Sequence, residues 1–130
     1  MDNKIVQAGI IAEKIIGNLL AVKPGEEVLI AVDTESDMRM AQAFATAAAN
    51  HKADFLIAIM PARGKEQATT IPKSLEEAMN GCDVFIPMTR ASGAPAYNLK
   101  MKALLRDKKI RECCMVLRDI DNYIHGGALA

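Results

Sequence analysis

The sequence predicts an α/β fold: a three-layer, Rossmann/flavodoxin-like domain with a mostly parallel sheet of about four strands flanked by helices. The first observation is the run Val28–Val32, whose unbroken apolar and β-branched residues are typical of a strand buried on both faces. The second is the alternation of apolar runs with helical patterns, which indicates parallel strands joined by right-handed crossovers. We expect the strand order 2-1-3-4, with Val28–Val32 at the centre.

Length, charge and composition limit the classes of function. A chain of 130 residues corresponds to one domain, residues 1–130. The formal net charge is zero, with three Phe, two Tyr and no Trp, so neither nucleic acid nor a membrane is an expected partner. No apolar run approaches the ~20 residues that span a bilayer. Three cysteines without a secretory signal favour a cytoplasmic location.

Helical periodicity and turn signals define the first half of the chain. Asn3–Leu20 is predicted as an amphipathic helix, and its core stripe comprises Ile5, Ala8, Ala12, Ile15, Ile16 and Leu19. An alanine-rich helix is predicted over 35–51, and Phe55–Met60 is predicted as a second buried strand. The polar stretch 62–70 is a surface loop and a potential flap.

In the second half, Pro72 and Gly81 delimit a short third helix. A third strand covers 84–88, where Pro87 indicates a sheet edge or a departure from the sheet. The remaining predicted elements are a helix from about Leu99 and a fourth strand over 113–117.

The turn after the first strand carries three carboxylates, Asp33, Glu35 and Asp37, and no glycine. A nucleotide-binding turn would present glycines and bare N–H groups to a phosphate, which these carboxylates would repel. Thr34 and Asp37 have the spacing of a capping box, so we expect helix capping there. Contact with a cation or a substrate is the alternative.

A ligand contact is predicted at Thr89, Arg90 and Ser92, because open α/β sheets bind ligands outside the carboxyl ends of their strands. An arginine there could hold a carboxylate with two hydrogen bonds. This is the only site that the residue types indicate, and we assign no catalytic, cofactor-binding or metal-binding residue.

Histidines and cysteines give no metal site by spacing. His51 is placed at a helix end, and His125 is far from it in sequence. Cys113 and Cys114 are adjacent strand residues that point to opposite faces, so they are interpreted as packing thiols. Cys82 has no candidate base beside it.

A basic run follows the third strand and comprises Lys100, Lys102, Arg106, Lys108, Lys109 and Arg111. Asp107 and Glu112 dilute its charge, so a solvated helix face is favoured over an RNA-binding surface.

The stretch Leu20–Glu35 resembles the amino-terminal region of the metal-dependent aminopeptidase T/S family, also known as thermophilic metalloproteases or leucyl aminopeptidases. The resemblance continues at Met60-Pro61, at Gly81–Val84 and at Gly127–Leu129. A related branch of this fold contains iron-dependent dioxygenases that act on dihydroxypyridine.

The resemblance implies that the chain is the amino-terminal part of a larger enzyme that hydrolyses amino-terminal residues from peptides. The carboxylate, His and Tyr ligands of its divalent metals, such as zinc or cobalt, would lie in a missing carboxy-terminal catalytic domain. The alternatives are the same domain of a dioxygenase relative and a stand-alone binding or oligomerisation module.

We also expect a homo-oligomer, with a C₂ dimer as the simplest form. The expected apolar contacts are Val6, Ile10 and Ile11 beside the core stripe of the first helix, with Ile120, Tyr123, Ile124 and Leu129 near the end of the sequence.

Overall fold

The computed structural model describes residues 3–62, 71–90 and 99–115, with side chains from Lys102 onward in the last range. The elements are α1 (Asn3–Glu13), a π-helical segment (Lys14–Leu19), β1 (Glu27–Asp33), α2 (Met38–Asn50), β2 (Asp54–Met60), α3 (Lys73–Met79), β3 (Val84–Pro87), α4 (Leu99–Asp107) and β4 (Arg111–Glu112). Residues 63–70 of the potential flap, Ser92 and the apolar residues near the end of the sequence lie outside the described ranges.

The four described strands form one parallel sheet in the order β2-β1-β3-β4, which confirms the predicted order and the central place of β1. Side chains alternate along each strand, so the sheet divides two apolar clusters. Val28, Ile30 and Val32 belong to the cluster under α1 and α2. Leu29 and Ala31 belong to the cluster that contains residues of α3 and α4. Two helical layers around one sheet confirm the predicted three-layer α/β fold.

The buried stripe of α1 is rotated relative to the prediction. Ile5 and Leu19, expected in the core, are 58% and 69% exposed, whereas Ile11, expected on the outside, is fully buried. Ala8 and Ala12 lie buried beside Ile11, and their small side chains allow α1 to approach α2 closely. The π-helical segment then places more residues in each turn, which carries Leu19 off the stripe.

The prediction of a buried second strand is wrong, because β2 lies at the edge of the described sheet. Phe55, Leu56 and Ile59 are 48%, 57% and 61% exposed. An uninterrupted apolar run has the same pattern in a central strand and in an edge strand, so periodicity could not separate the two.

Pro87 does not mark a sheet edge, because β3 pairs with β1 on one side and β4 on the other. The N–H of Met88 donates to Ala31 of β1 at 2.7 Å, so the neighbouring position 87 faces β4. Proline has no N–H to donate there. This explains why regular β4 pairing stops at Glu112, although Cys113 and Met115 still donate to Phe85 and Pro87 carbonyls. The fourth strand therefore starts two residues before the predicted Cys113.

Candidate functional site

The candidate site lies at the carboxyl ends of β1 and β3, where the sheet topology changes direction. The chain leaves β1 for β2 on one side and later returns to β3 on the other side. In open α/β sheets the crevice at such a switch point is the usual ligand position. Here it is bordered by the turn 33–37 and by residues 88–90.

Asp33 connects the two borders. Its side chain is almost fully buried at 1% exposure, and its Oδ2 accepts a hydrogen bond from the backbone N–H of Arg90 at 2.9 Å. Its Oδ1 accepts from the N–H of Glu35 at 2.9 Å. A buried carboxylate requires such partners, because an unsatisfied one would be strongly unfavourable.

Ser36 makes the second connection. Its hydroxyl donates to the carbonyl oxygen of Met88 at 2.8 Å and accepts from the backbone N–H of Asp33 at 2.9 Å. We refer to Asp33, Ser36, Met88 and Arg90 as the switch-point clamp. It joins the end of β1 to the end of β3 through hydrogen bonds within the chain.

The predicted ligand contacts are only partly described. Thr89 is fully buried, whereas Arg90 is exposed and its backbone belongs to the switch-point clamp. Ser92 lies outside the described residues. A ligand contact at these three positions therefore stays a prediction.

The predicted capping box, with Thr34 as the N-cap and Asp37 three residues into the helix, is wrong. Asp37 is the N-cap of α2, and its Oδ1 accepts from the N–H of Arg39 at 3.1 Å. Thr34 instead accepts from the N–H of Ala62 at 3.1 Å, which ties the turn to the end of β2. The helix starts at Met38 rather than near Glu35, because Asp33 and Ser36 hold the intervening residues in a turn.

His51 forms the C-cap of α2, as predicted, and its Nε2 contacts a carboxylate oxygen of Glu13. The imidazole lies over the π-helical segment at Gly17. A Cβ added to Gly17 would be 3.1 Å from Cε1 and Nε2 of the ring, so glycine permits this close approach. No local pattern indicates this contact, since Gly17 and His51 are distant in the chain.

The described cysteines have different surroundings. Burial raises the pKa of the Cys82 thiol to about 11, aided by the carboxylates of Asp83 and Glu27, so this thiol is a poor nucleophile near neutral pH. Cys113 packs against the apolar cluster under α1 and α2, and Cys114 is exposed. Across residues 3–62, 71–90 and 99–115, no three His, Cys, Asp or Glu side chains are grouped as metal ligands. His125 lies outside these ranges.

Arg111, the last member of the basic run, has a structural contact. Its guanidinium donates to both carboxylate oxygens of Glu26, at 3.0 Å and 2.6 Å, and to the carbonyl of Leu20 at 2.9 Å. These hydrogen bonds lower the pKa of Glu26 and raise that of Arg111. The pair attaches β4 to the segment before β1.

The helices in the part of the chain that the structure describes are too short or too polar to cross a bilayer.

Comparison with solved structures shows similarity of fold. The chain is similar to 2,5-dihydroxypyridine dioxygenase from Pseudomonas putida KT2440, with a TM-score of 0.71 and 16% identity over 90% of this chain and 35% of that protein. It is also similar to wild-type AmpT from Thermus thermophilus, with a TM-score of 0.51 and 13% identity over 86% of this chain and 36% of AmpT. The chain thus spans about a third of each protein. No family model and no curated protein matches the sequence.

Proposed function

We propose that this chain is the amino-terminal domain of a metal-dependent aminopeptidase-like protein, and that it supports assembly and substrate access without catalytic residues of its own. The observation that carries the scaffold role is the switch-point clamp. Asp33 and Ser36 occupy the position where an open α/β sheet would present groups to a ligand. Both direct their polar atoms to backbone groups of the same chain.

The likeness of fold supports a larger enzyme as the parent protein, and AmpT is one such enzyme. AmpT matches 86% of this chain, and that similarity takes up 36% of AmpT. If this chain corresponds to one part of a longer enzyme, the metal ligands would belong to the remaining part of that enzyme. The implied zinc or cobalt would then be bound outside residues 1–130.

A second candidate is the corresponding domain of an iron-dependent dihydroxypyridine dioxygenase. The dioxygenase from Pseudomonas putida has the higher TM-score, 0.71 against 0.51, and matches 90% of this chain. Identities of 16% and 13% support the shared fold and do not separate the two reactions.

The test is to express the complete natural reading frame beside the 130-residue chain and to assay both for two reactions. We expect the complete protein, with added zinc or cobalt, to release leucine from a substrate in which leucine is joined to its leaving group by an amide bond. We expect no such release by the 130-residue chain. Cleavage of 2,5-dihydroxypyridine in the presence of ferrous iron and dioxygen would instead favour the second candidate. Either activity in the 130-residue chain alone would overturn the proposal of a non-catalytic domain, and neither activity in a protein ending at Ala130 would favour a stand-alone module.

The predicted contact at Arg90 has its own test in the complete protein. A scaffold role predicts that Arg90→Ala changes kcat and KM by less than about twofold, since the backbone N–H that binds Asp33 is retained. A several-fold increase in KM with unchanged kcat would show that the guanidinium contacts the substrate.

A further inference from the structure

We propose that the outer edge of β2 is a homodimer interface, in which β2 pairs antiparallel with β2 of a second copy and the two sheets become one. This inference concerns association and is independent of the proposed enzymatic parent.

The backbone of β2 presents a regular set of hydrogen-bonding groups to this edge. Asp54 donates its N–H to Glu26 on the β1 side at 2.9 Å. In a parallel pair alternate residues bond to the same neighbour, so Leu56, Ala58 and Met60 also face β1. Phe55, Ile57 and Ile59 therefore direct their N–H and C=O groups outward. Within the described ranges no strand lies beyond β2.

The side chains lack the features that usually protect an edge. Natural edge strands are short or carry charges, prolines or bulges that discourage pairing. β2 has seven residues, it is uncharged from Phe55 to Met60, and the nearest proline, Pro61, follows its end. Phe55, Leu56 and Ile59 are about half or more exposed.

The strand complements itself about a twofold axis at Ile57. Ile57 then faces its own copy, Phe55 faces Ile59 of the second copy, and Leu56 faces the small Ala58. The nearest charged residue, Asp54, falls opposite Met60, so no like charges meet. The outward groups of residues 55, 57 and 59 pair with one another in this register, whereas a shift along the strand leaves some of them unpaired.

Hollows beside β2 provide room for the second copy. On one face a groove of about 410 Å³ separates β2 from α2 and is lined by Gln42, Ala45, Thr46, Ala49, Phe55 and Ile57. On the other face a hollow of about 240 Å³ lies beside Leu56 and Ala58. The three exposed side chains alone offer on the order of 300 Å² per copy, which is less than the roughly 800 Å² per partner of a standard interface. The walls of the hollows must supply the remainder. Because the interface is smaller than the standard size, we expect a weak dimer with a dissociation constant on the order of micromolar.

Sedimentation equilibrium of the 130-residue chain at micromolar concentrations tests the interface, with one charge placed on each of two exposed apolar surfaces. Ile59→Glu is expected to raise the dissociation constant at least about tenfold, because it sets a carboxylate against Phe55 of the second copy. Val6→Glu on α1, where Val6 is 56% exposed, is the matched control and tests the other dimer contact that the sequence suggests. The β2 interface predicts that this variant leaves the dimer intact. The proposal would be overturned if the unsubstituted 130-residue chain is a monomer, or if only Val6→Glu abolishes the dimer.

Cross-linking tests the register in a background of Cys82→Ala, Cys113→Ala and Cys114→Ala. Ile57→Cys should form a disulfide-linked dimer on mild oxidation, because directly opposed Cα atoms of a hydrogen-bonded pair are about 5.5 Å apart. Phe55→Cys should not, since position 55 of the second copy lies four residues away, roughly 13 Å along the strand. Equal cross-linking of both variants, or of neither, would refute this pairing.

Discussion

The carboxylate of Asp33 accepts a hydrogen bond from the backbone N–H of Arg90 at 2.9 Å, across the gap between the ends of β1 and β3. These residues are 57 positions apart in the chain. From sequence, Asp33 could be interpreted as part of a helix cap or as a cation ligand. The contact with Arg90 shows a different role. It holds together the two loops that border the switch point.

The first prediction concerns this carboxylate. In Asp33→Asn one acceptor oxygen becomes an NH₂ group, which must face a backbone donor, either Arg90 or Glu35. A buried donor left without an acceptor typically costs about 1–3 kcal/mol, so we expect Asp33→Asn to lower the unfolding free energy by that amount. Denaturant titration measures the change. Asp37→Asn is the matched control and should lose no more than about 1 kcal/mol, because asparagine caps a helix as well as aspartate does and only a partly exposed ion pair with Arg39 is weakened. Equal losses in both variants would contradict the clamp.

The second prediction separates the two residues of the expected capping box. Asp37→Ala removes the cap of α2 together with a partly exposed ion pair to Arg39, and it should lower the unfolding free energy by at least about 1 kcal/mol. Thr34→Ala removes only an exposed hydrogen bond to Ala62 and should cost about half as much or less. The measurement is urea denaturation followed by circular dichroism. A larger loss for Thr34→Ala would return the capping role to Thr34.

The third prediction uses two glycines of the first helical stretch. Gly9→Ala should stabilise the chain by about 0.5–1 kcal/mol, because a Cβ there meets nothing within 4 Å and alanine favours a helix. Gly17→Ala should gain less, since its Cβ would press on the His51 imidazole at 3.1 Å. In a double-mutant cycle, Gly17→Ala should increase the unfolding free energy more in the His51→Ala background than in the unsubstituted chain. Additivity of the two changes would show that the ring does not restrict position 17.

The fourth prediction is a pH dependence. The hydrogen bonds from Arg111 lower the pKa of Glu26 in the folded chain, so its ionised form stabilises the fold above pH 4.5. That contribution is lost as the pH falls below 4.5 through the lowered pKa. Glu26→Gln should therefore be less stable at pH 7 by no more than about 1 kcal/mol, because the pair is partly exposed to solvent. The difference should shrink towards pH 3, and a difference independent of pH would contradict this role.

The sequence alone determined the three-layer architecture and the strand order. The run Val28–Val32 is apolar at every position, which is typical of a strand covered on both faces. Together with the alternation of strands and helices, this pattern predicts β1 at the centre of a parallel sheet. Local turn chemistry likewise placed α3 between Pro72 and Gly81. These features depend on residues close together in the chain, where periodicity and backbone preferences act directly.

Only the tertiary structure decided which apolar surfaces stay uncovered and what the acidic turn does. Phe55–Met60 has the same apolar pattern as β1, yet its neighbours leave one edge bare, because exposure depends on which elements pack beside a strand. The bond from Arg90 to Asp33 and the approach of His51 to Gly17 join distant residues, and no local pattern records them. Burial and long-range hydrogen bonds are properties of the assembled layers, so they emerge only when the helices and strands are placed together.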